Sequence, residues 1–304
     1  MADAYNTAAA LADFSPTLVA QDALDEMTDA TNNAFLTHSV DLTARVNGAT
    51  ALDIPVFAEV THATETEGTA LEYKQFSSAK VTLTPSTKKA VVIPITDWAS
   101  AYANQELMSG FGRQAGRNAA QIVDIAIAGV YSEAGTTAQD GGTGGDITEA
   151  LIIGAKEQLD ANNAPMEGRF LILHHQQYNA ALSIDRLTRY DATGVAGPAN
   201  PIKNGALGEL HGFQVFLDQN VVGTTDGFRH NVAGVYNGTI EGSSICHGYA
   251  TFKPLIDTLS AGNAPRLVWT YDPKVGSQVL RSEVGYGYVA LRTKWLVDIK
   301  TQDS

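Results

Sequence analysis

The chain has 304 residues, 44 % of them hydrophobic, with 33 acids against 20 bases and a net charge of −13. That composition excludes disordered, collagenous and fibrous classes, and the length allows one large domain or two of ordinary size. Twelve acids and a single base, Arg45, precede Tyr73; such a front end is repelled by phosphate backbones, which argues against sequence-specific nucleic-acid binding.

Residues 1–14 are small and polar and read as an arm. The opening Met1-Ala2-Asp3-Ala4-Tyr5 has neither the basic nor the apolar region of a signal peptide. Ser15-Pro16 is a helix start, with Ser as N-cap and Pro at the first helical position. Leu24, Met27, Thr31 and Ala34/Phe35 follow at spacings of three and four, predicting a helix over 16–36. It is poor in apolar residues and must lie on another surface. Residues 54–58 (Ile-Pro-Val-Phe-Ala) read as a strand, and a polar run covers 61–69. Alternating segments follow around 80–84 and 90–95, with Pro85-Ser86-Thr87-Lys88 as the turn between them. These ribbons hold little apolar surface. A lone two-stranded hairpin is marginally stable at best, so this one needs a covering partner.

Asp97-Trp98 opens a long helical stretch. Met108, Phe111, Ala115, Ala119, Ile122, Ala126 and Val130 recur every three or four residues on one side. A helix over 104–132 is a rod about 40 Å long at ~1.5 Å per residue. Gly110, Gly112 and Gly116 each weaken its first half by about 1 kcal/mol relative to Ala, which favours a bend or a late start. Asp146-Ile147-Thr148-Glu149 resembles a capping box, with Asp146 as N-cap. The helix it starts uses Leu151, Ile152, Ala155 and Leu159 and stops before Pro165. Residues 169–173 form a buried strand and 176–182 a short helix. A Gly-, Pro- and Asn-rich loop spans 191–206, and another strand covers 213–217. This order describes a compact α/β subdomain. Residues 277–300 alternate as two long antiparallel strands. No run reaches the ~18 uncharged apolar residues of a membrane span.

Catalytic signatures are absent: no His-Glu-x-x-His, no Gly-x-Ser-x-Gly and no Walker loop. The glycine run at 141–145 follows a helix and lacks a lysine, so it reads as a linker. His174-His175 point to opposite faces of a strand and make a poor chelate, with no Cys or spaced acid to complete a metal site. Ser77-x-x-Lys80 has nucleophile–lysine spacing but no partner motif. Asn237-Gly238-Thr239 fits a glycosylation acceptor, which counts for nothing without export. Cys246, the one cysteine, leaves no internal disulfide and no thiolate zinc cluster, in keeping with a reducing cytosol. Beside His247 it reads as a buried, inert thiol. No catalytic, cofactor-binding or metal residue is assigned.

The order of elements resembles the major capsid proteins of tailed bacteriophages, a fold shared with encapsulins and herpesvirus capsid floors. An arm, a polar hairpin ending in Val91-Val92-Ile93-Pro94-Ile95-Thr96-Asp97, and a long helix directly after it look like the family's N-arm, E-loop and spine helix. Arg169-Phe170-Leu171-Ile172-Leu173-His174-x-x-x-Tyr178-x-x-x-Leu182 looks like the strand and short helix of its axial domain. Gly205-Ala206-Leu207-Gly208-Glu209-Leu210-His211-Gly212-Phe213-Gln214-Val215 is similar to its Gly-x-Leu-Gly-x-x-x-Gly-(aromatic)-x-Val turn and strand. Residues 279–299 look like the closing ribbon of its peripheral domain. The resemblance runs from about residue 15 to 300.

It implies an α+β fold divided into an N-terminal arm with helix (1–46), an E-loop hairpin (47–97), spine helix and peripheral domain (98–145), an axial domain (146–254) and a peripheral ribbon with the C-terminus (255–304). It implies a structural protein, not an enzyme, that assembles as hexamers and pentamers into an icosahedral virion shell around double-stranded DNA, built in the host cytoplasm. Scaffolding protein, portal and a decoration protein are the implied partners, with no membrane and no cofactor. Only some 15 residues precede the first helix where the family often carries a scaffolding segment, which points to a separate scaffold or a matured chain. Lys74, Lys80, Lys88 and Lys89 lie in the hairpin, yet no Asn partner matches, so covalent cross-linking is unsupported. Intersubunit contact is expected at Glu65, Glu67, Glu72, Tyr73, Lys74, Phe76 and Lys80. An encapsulin-like nanocompartment around a protein cargo is the alternative, and a soluble α+β enzyme a more distant one.

Overall fold

The computed structural model describes residues 33–46, 51–57, 67, 78–96, 106–135, 139–142, 145–184, 207–225, 227–237, 245–252, 266–274 and 276–302. The predicted helix over 16–36 and the loop at 191–206 fall largely or wholly outside them. The chain opens with a short helix α1 (Ala34–Thr37), a strand β1 (Val40–Asp41) and a second short helix α2 (Thr43–Val46). β2 (Leu52–Phe57) and β3 (Ser78–Leu83) pair antiparallel as a separate two-stranded sheet. β4 (Thr87–Thr96) then leads towards the long helix α3 (Glu106–Ala128), which tightens into a 3-10 turn at Gly129–Glu133.

A six-stranded sheet forms the centre. Its order is β5 (Gln139–Asp140), β13 (Leu296–Gln302), β9 (Phe228–Val235), β6 (Arg169–Leu173), β8 (Phe213–Leu217) and β7 (Glu209–Leu210). β6 is buried at every position, and the pleat divides it between two cores. Leu171 and Leu173 face the helix α4 (Glu149–Ala161), which contributes Ile152, Ala155 and Leu159, and the helix α5 (His175–Leu182), which contributes Ala181. Phe170 and Ile172 face the other way, towards Ala119, Val123 and Ile127 of α3. Cover on both faces explains why this strand is a continuous apolar run.

The turn between β7 and β8 is two residues long. Leu210 pairs with Phe213, and His211 and Gly212 both have positive φ, 49° and 87°. That is the hairpin geometry that matches strand twist, and Gly212 adopts it without a steric penalty.

The second sheet is built on β12 (Ser277–Ala290), which pairs with β10 (His247–Phe252) over its second half. On one side β12 pairs with β11 (Arg266–Asp272) over Ser277–Glu283, and on the other with β4 over Ser277–Tyr286. β1 adds to β10 in parallel.

Four sequence expectations are revised. Residues 87–96 do not turn back on 78–83; β4 runs ten residues along β12 instead. Residues 277–300 form two long strands, but β12 and β13 belong to different sheets and do not pair. Thr148, not Asp146, caps α4, its Oγ1 accepting from Leu151 N at 3.4 Å. Asp146 instead accepts from the buried Gln177 amide at 3.3 Å, while Gln177 Oε1 accepts from Ile147 N at 2.7 Å. The buried face of α3 also sits slightly off the apolar stripe: Val123 and Ile127 are buried, Ile122 and Ala126 only partly, and Asp124 is fully buried.

Candidate functional site

The β2–β3 ribbon is rooted at its Leu52–Leu83 end. Leu83 is fully buried with Val40, Leu42, Val46, Ile245 and Ala250, and Leu52, directly opposite, packs against the same cluster. Alternation then sorts the ribbon into two faces. Leu52, Ile54, Val56 and Val81 share the apolar one and stay half-buried. Asp53, Pro55, Lys80 and Thr82 share the other and are exposed. Lys80 Nζ reaches Asp53 at 2.9 Å, and Thr82 Oγ1 donates to Asp53 at 2.6 Å. Those two donors hold the Asp53 carboxyl below its ordinary range. Both strands are edges of a two-stranded sheet. Pro55, which has no N–H to offer, and the charged pair blunt uncontrolled edge pairing. The ribbon's own chain therefore covers only part of its apolar face.

Of the seven residues expected at a contact, the structure places two. Lys80 is on β3, exposed and paired as above. Glu67 is an exposed turn residue between the strands. Glu65, Glu72, Tyr73, Lys74 and Phe76 lie outside the described residues. Beside the ribbon, β4 and β12 present Lys88, Lys89, Val92 and Arg281 to solvent, with Val92 54 % exposed. Lys88 and Arg281 both pair with the largely buried Glu283, the lysine at 2.6 Å. This basic face was not assigned from sequence; Lys88 and Arg281 share it only because β4 lies on β12, while Lys89, the next residue along β4, points to the opposite face.

The groups that invite catalytic readings behave otherwise. Cys246 Sγ lies 3.0 Å from His247 Nδ1, both fully buried. Burial pushes the thiol up to about 12 and the imidazole down to about 3. A thiolate–imidazolium pair needs the reverse order, so the dyad is neutral and unreactive. The folded protein is expected to leave Cys246 unmodified by iodoacetamide at pH 8, with alkylation only after unfolding in urea; rapid labelling of the folded chain would contradict this. His174 and His175 do not sit on opposite faces of a strand as expected: β6 ends at Leu173, they open α5, and their tilted rings lie 4.1 Å apart, with the His174 backbone N–H donating to Asn231 Oδ1 at 2.9 Å. His230 pairs with Asp298 at 2.8 Å under the Tyr131 ring. Among the described residues, no three His, Cys, Asp or Glu side chains converge as metal ligands, and no helix is long and apolar enough to cross a membrane. Sequence reasoning missed the buried acids Asp124 and Asp218; the one available signal was an acid beside the apolar stripe of α3.

No family model matches the chain, and neither does any curated protein. Solved structures do. A chain from Mycobacterium phage Che8 superposes with a TM-score of 0.65 at 18 % identity, covering 87 % of this chain and 90 % of that one. The capsid of the cyanophage P-SCSP1u gives 0.63 at 14 % identity, covering 88 % and 87 %. The capsid of a native GTA particle, computed with C5 symmetry, gives 0.60 at 11 % identity, covering 89 % and 90 %. The chain has the α+β fold of these capsid structures over nearly its whole length.

Proposed function

We propose that this chain is a major capsid protein of a tailed phage, a structural subunit that self-assembles through hexamers and pentamers into an icosahedral shell enclosing double-stranded DNA. The supporting observation is the β2–β3 ribbon, which stands outside the central sheet with its apolar face half covered, on a scaffold with the fold of capsid chains. In this reading 1–46 is the arm, 47–97 the E-loop, 98–145 the spine and peripheral domain, 146–254 the axial domain and 255–304 the peripheral ribbon. Scaffolding protein, portal and a decoration protein are the partners of such a subunit, and the virion is its location.

The contact follows from charge and exposure. Residues 58–77 carry Glu59, Glu65, Glu67 and Glu72 against one base, Lys74. One face of β4 and β12 carries Lys88 and Arg281, with Lys89 on the other face of β4. The acidic tip of one copy is placed on the basic face of the next, with Tyr73 and Phe76 supplying apolar area and Lys80 flanking it. Each exposed ion pair contributes about 1 kcal/mol or less, so closure of the shell depends on repetition around five- and six-fold rings. A shell of net-negative subunits also repels DNA phosphate rather than binding it, so the genome stays free to slide.

Size-exclusion chromatography and negative-stain microscopy of the purified protein test this directly. Closed particles of megadalton mass with nuclease-protected DNA are expected from infected cells. A monomer or dimer under all assembly conditions would overturn the reading, and shells filled with a protein cargo would assign a nanocompartment instead.

A further inference from the structure

Asp124, one turn before the end of α3, and Asp218, just after β8, are both fully buried and meet beneath α1. Asp218 Oδ2 accepts from Ala34 N at 2.7 Å, and Asp124 Oδ1 accepts from Leu36 N at 2.8 Å. Asn220 bridges the remaining two oxygens. Its backbone N–H donates to Asp218 Oδ1 at 2.8 Å and its side-chain amide to Asp124 Oδ2 at 2.9 Å. These donors, with the Phe35 backbone N–H that also reaches Asp218, are all neutral amides. The arrangement also completes α1, because Asn33 at its N-cap position makes no side-chain capping bond and the free amides of a first turn need acceptors. Two adjacent buried carboxyls with only neutral donors cannot both be charged without strong repulsion.

We propose that Asp124 and Asp218 form a proton-held clasp on the N-terminal segment: one proton shared between the carboxyls lets both grip α1, and its loss lets Ala34–Thr37 come away from α3. The proposal concerns a single chain and stands whether or not the chain builds shells. Burial and the neighbouring Asp218 charge push Asp124 up to about 8, and burial raises Asp218 as well. The sign follows from that direction. An acid raised on folding stabilises the folded contact fully below the ordinary carboxylate range; the hold weakens as pH rises above that range and is gone beyond about 8. Burial lowers both neighbouring imidazoles, His38 next to α1 and His247 on β10, the latter to about 3. Arg113 and Arg117 of α3 lie on its exposed side.

Amide hydrogen exchange on the full-length protein tests the clasp. Exchange of residues 34–39 is measured at pH 6 and pH 9, each normalised to the α4 amides of the same molecule, which cancels the intrinsic pH effect. The normalised rate is expected to rise at least tenfold in the wild type. Asp124→Asn should hold it flat: the Asn carbonyl keeps the Leu36 bond, its amide donates to Asp218, and the Asn220 carboxamide can turn over to accept. A wild-type ratio that does not change overturns the proposal, as does a variant that rises as steeply as wild type. If the variant does not fold, the wild-type ratio decides alone.

Discussion

A chain lacking residues 62–72 is expected to fold, to elute as a small species and to form no shells. β2 ends at Phe57 and β3 begins at Ser78, and these two residues are a register pair. The deletion leaves nine residues to join them, more than an antiparallel connection needs. Loop-closure entropy changes slowly with length, by about 0.6 kcal/mol per doubling, so folding is nearly indifferent to the cut. What disappears is the acidic tip with Glu65, Glu67 and Glu72. Circular dichroism should therefore match the parent chain while particles vanish from negative-stain fields. Normal shells from the deleted chain would remove the ribbon from the assembly account.

The largest effect on folding is expected at Phe170. Phe170→Ala should cost about 3–5 kcal/mol, the range for emptying a buried aromatic site. Phe170 is 1 % exposed on the middle of β6, with the His38 ring 5.4 Å away and the His247 ring 5.9 Å away. Its site has no slack. A Cβ on Gly234 would come within 2.8 Å of both Phe170 Cζ and Cys246 Sγ. Gly234→Ala is thus itself costly in the intact core, by about 1–3 kcal/mol. In the Phe170→Ala background one of its two obstructions is gone, so the double variant should lose less than the two single losses combined. Urea unfolding of the unassembled chains measures all three. A loss under about 1 kcal/mol for Phe170→Ala would show that β6 is not held as described.

How much of this was legible depended on the kind of signal. β6 could be read because a strand covered on both faces leaves an unbroken apolar run, and the β7–β8 turn because Gly212 takes a backbone shape few residues tolerate. The long helix could be read from its three-and-four spacing. Strand partners could not. The alternation in 87–96 marks a strand but is silent on its neighbour, and proximity in sequence suggested 78–83 where the structure uses β12. The same limit separated β12 from β13. Asp146 and Thr148 are both good capping residues two positions apart, and only geometry chose between them. Asp124 escaped because an acid beside an apolar stripe reads as the wet side of a helix; its burial depends on Asp218 and Asn220, almost a hundred residues further on. At the candidate contact, composition pointed to an acidic tip, while the basic patch required β4 and β12 to be laid side by side.

The ladder between β4 and β12 has a mechanical meaning. A pull along β4 loads ten residue pairs at the same moment, so the strands must slide past each other before anything yields. The junction of β1 with β10 is only two residue pairs long, continued by the bonds Leu42 N–H to Tyr249 O and Thr251 N–H to Thr43 Oγ1, so fewer links share the load and it opens first. A container stretched from within by a tightly wound polymer would therefore strain at its amino-terminal attachments long before the long ladder sheared, and its wall would loosen at the seams while each tile kept its shape.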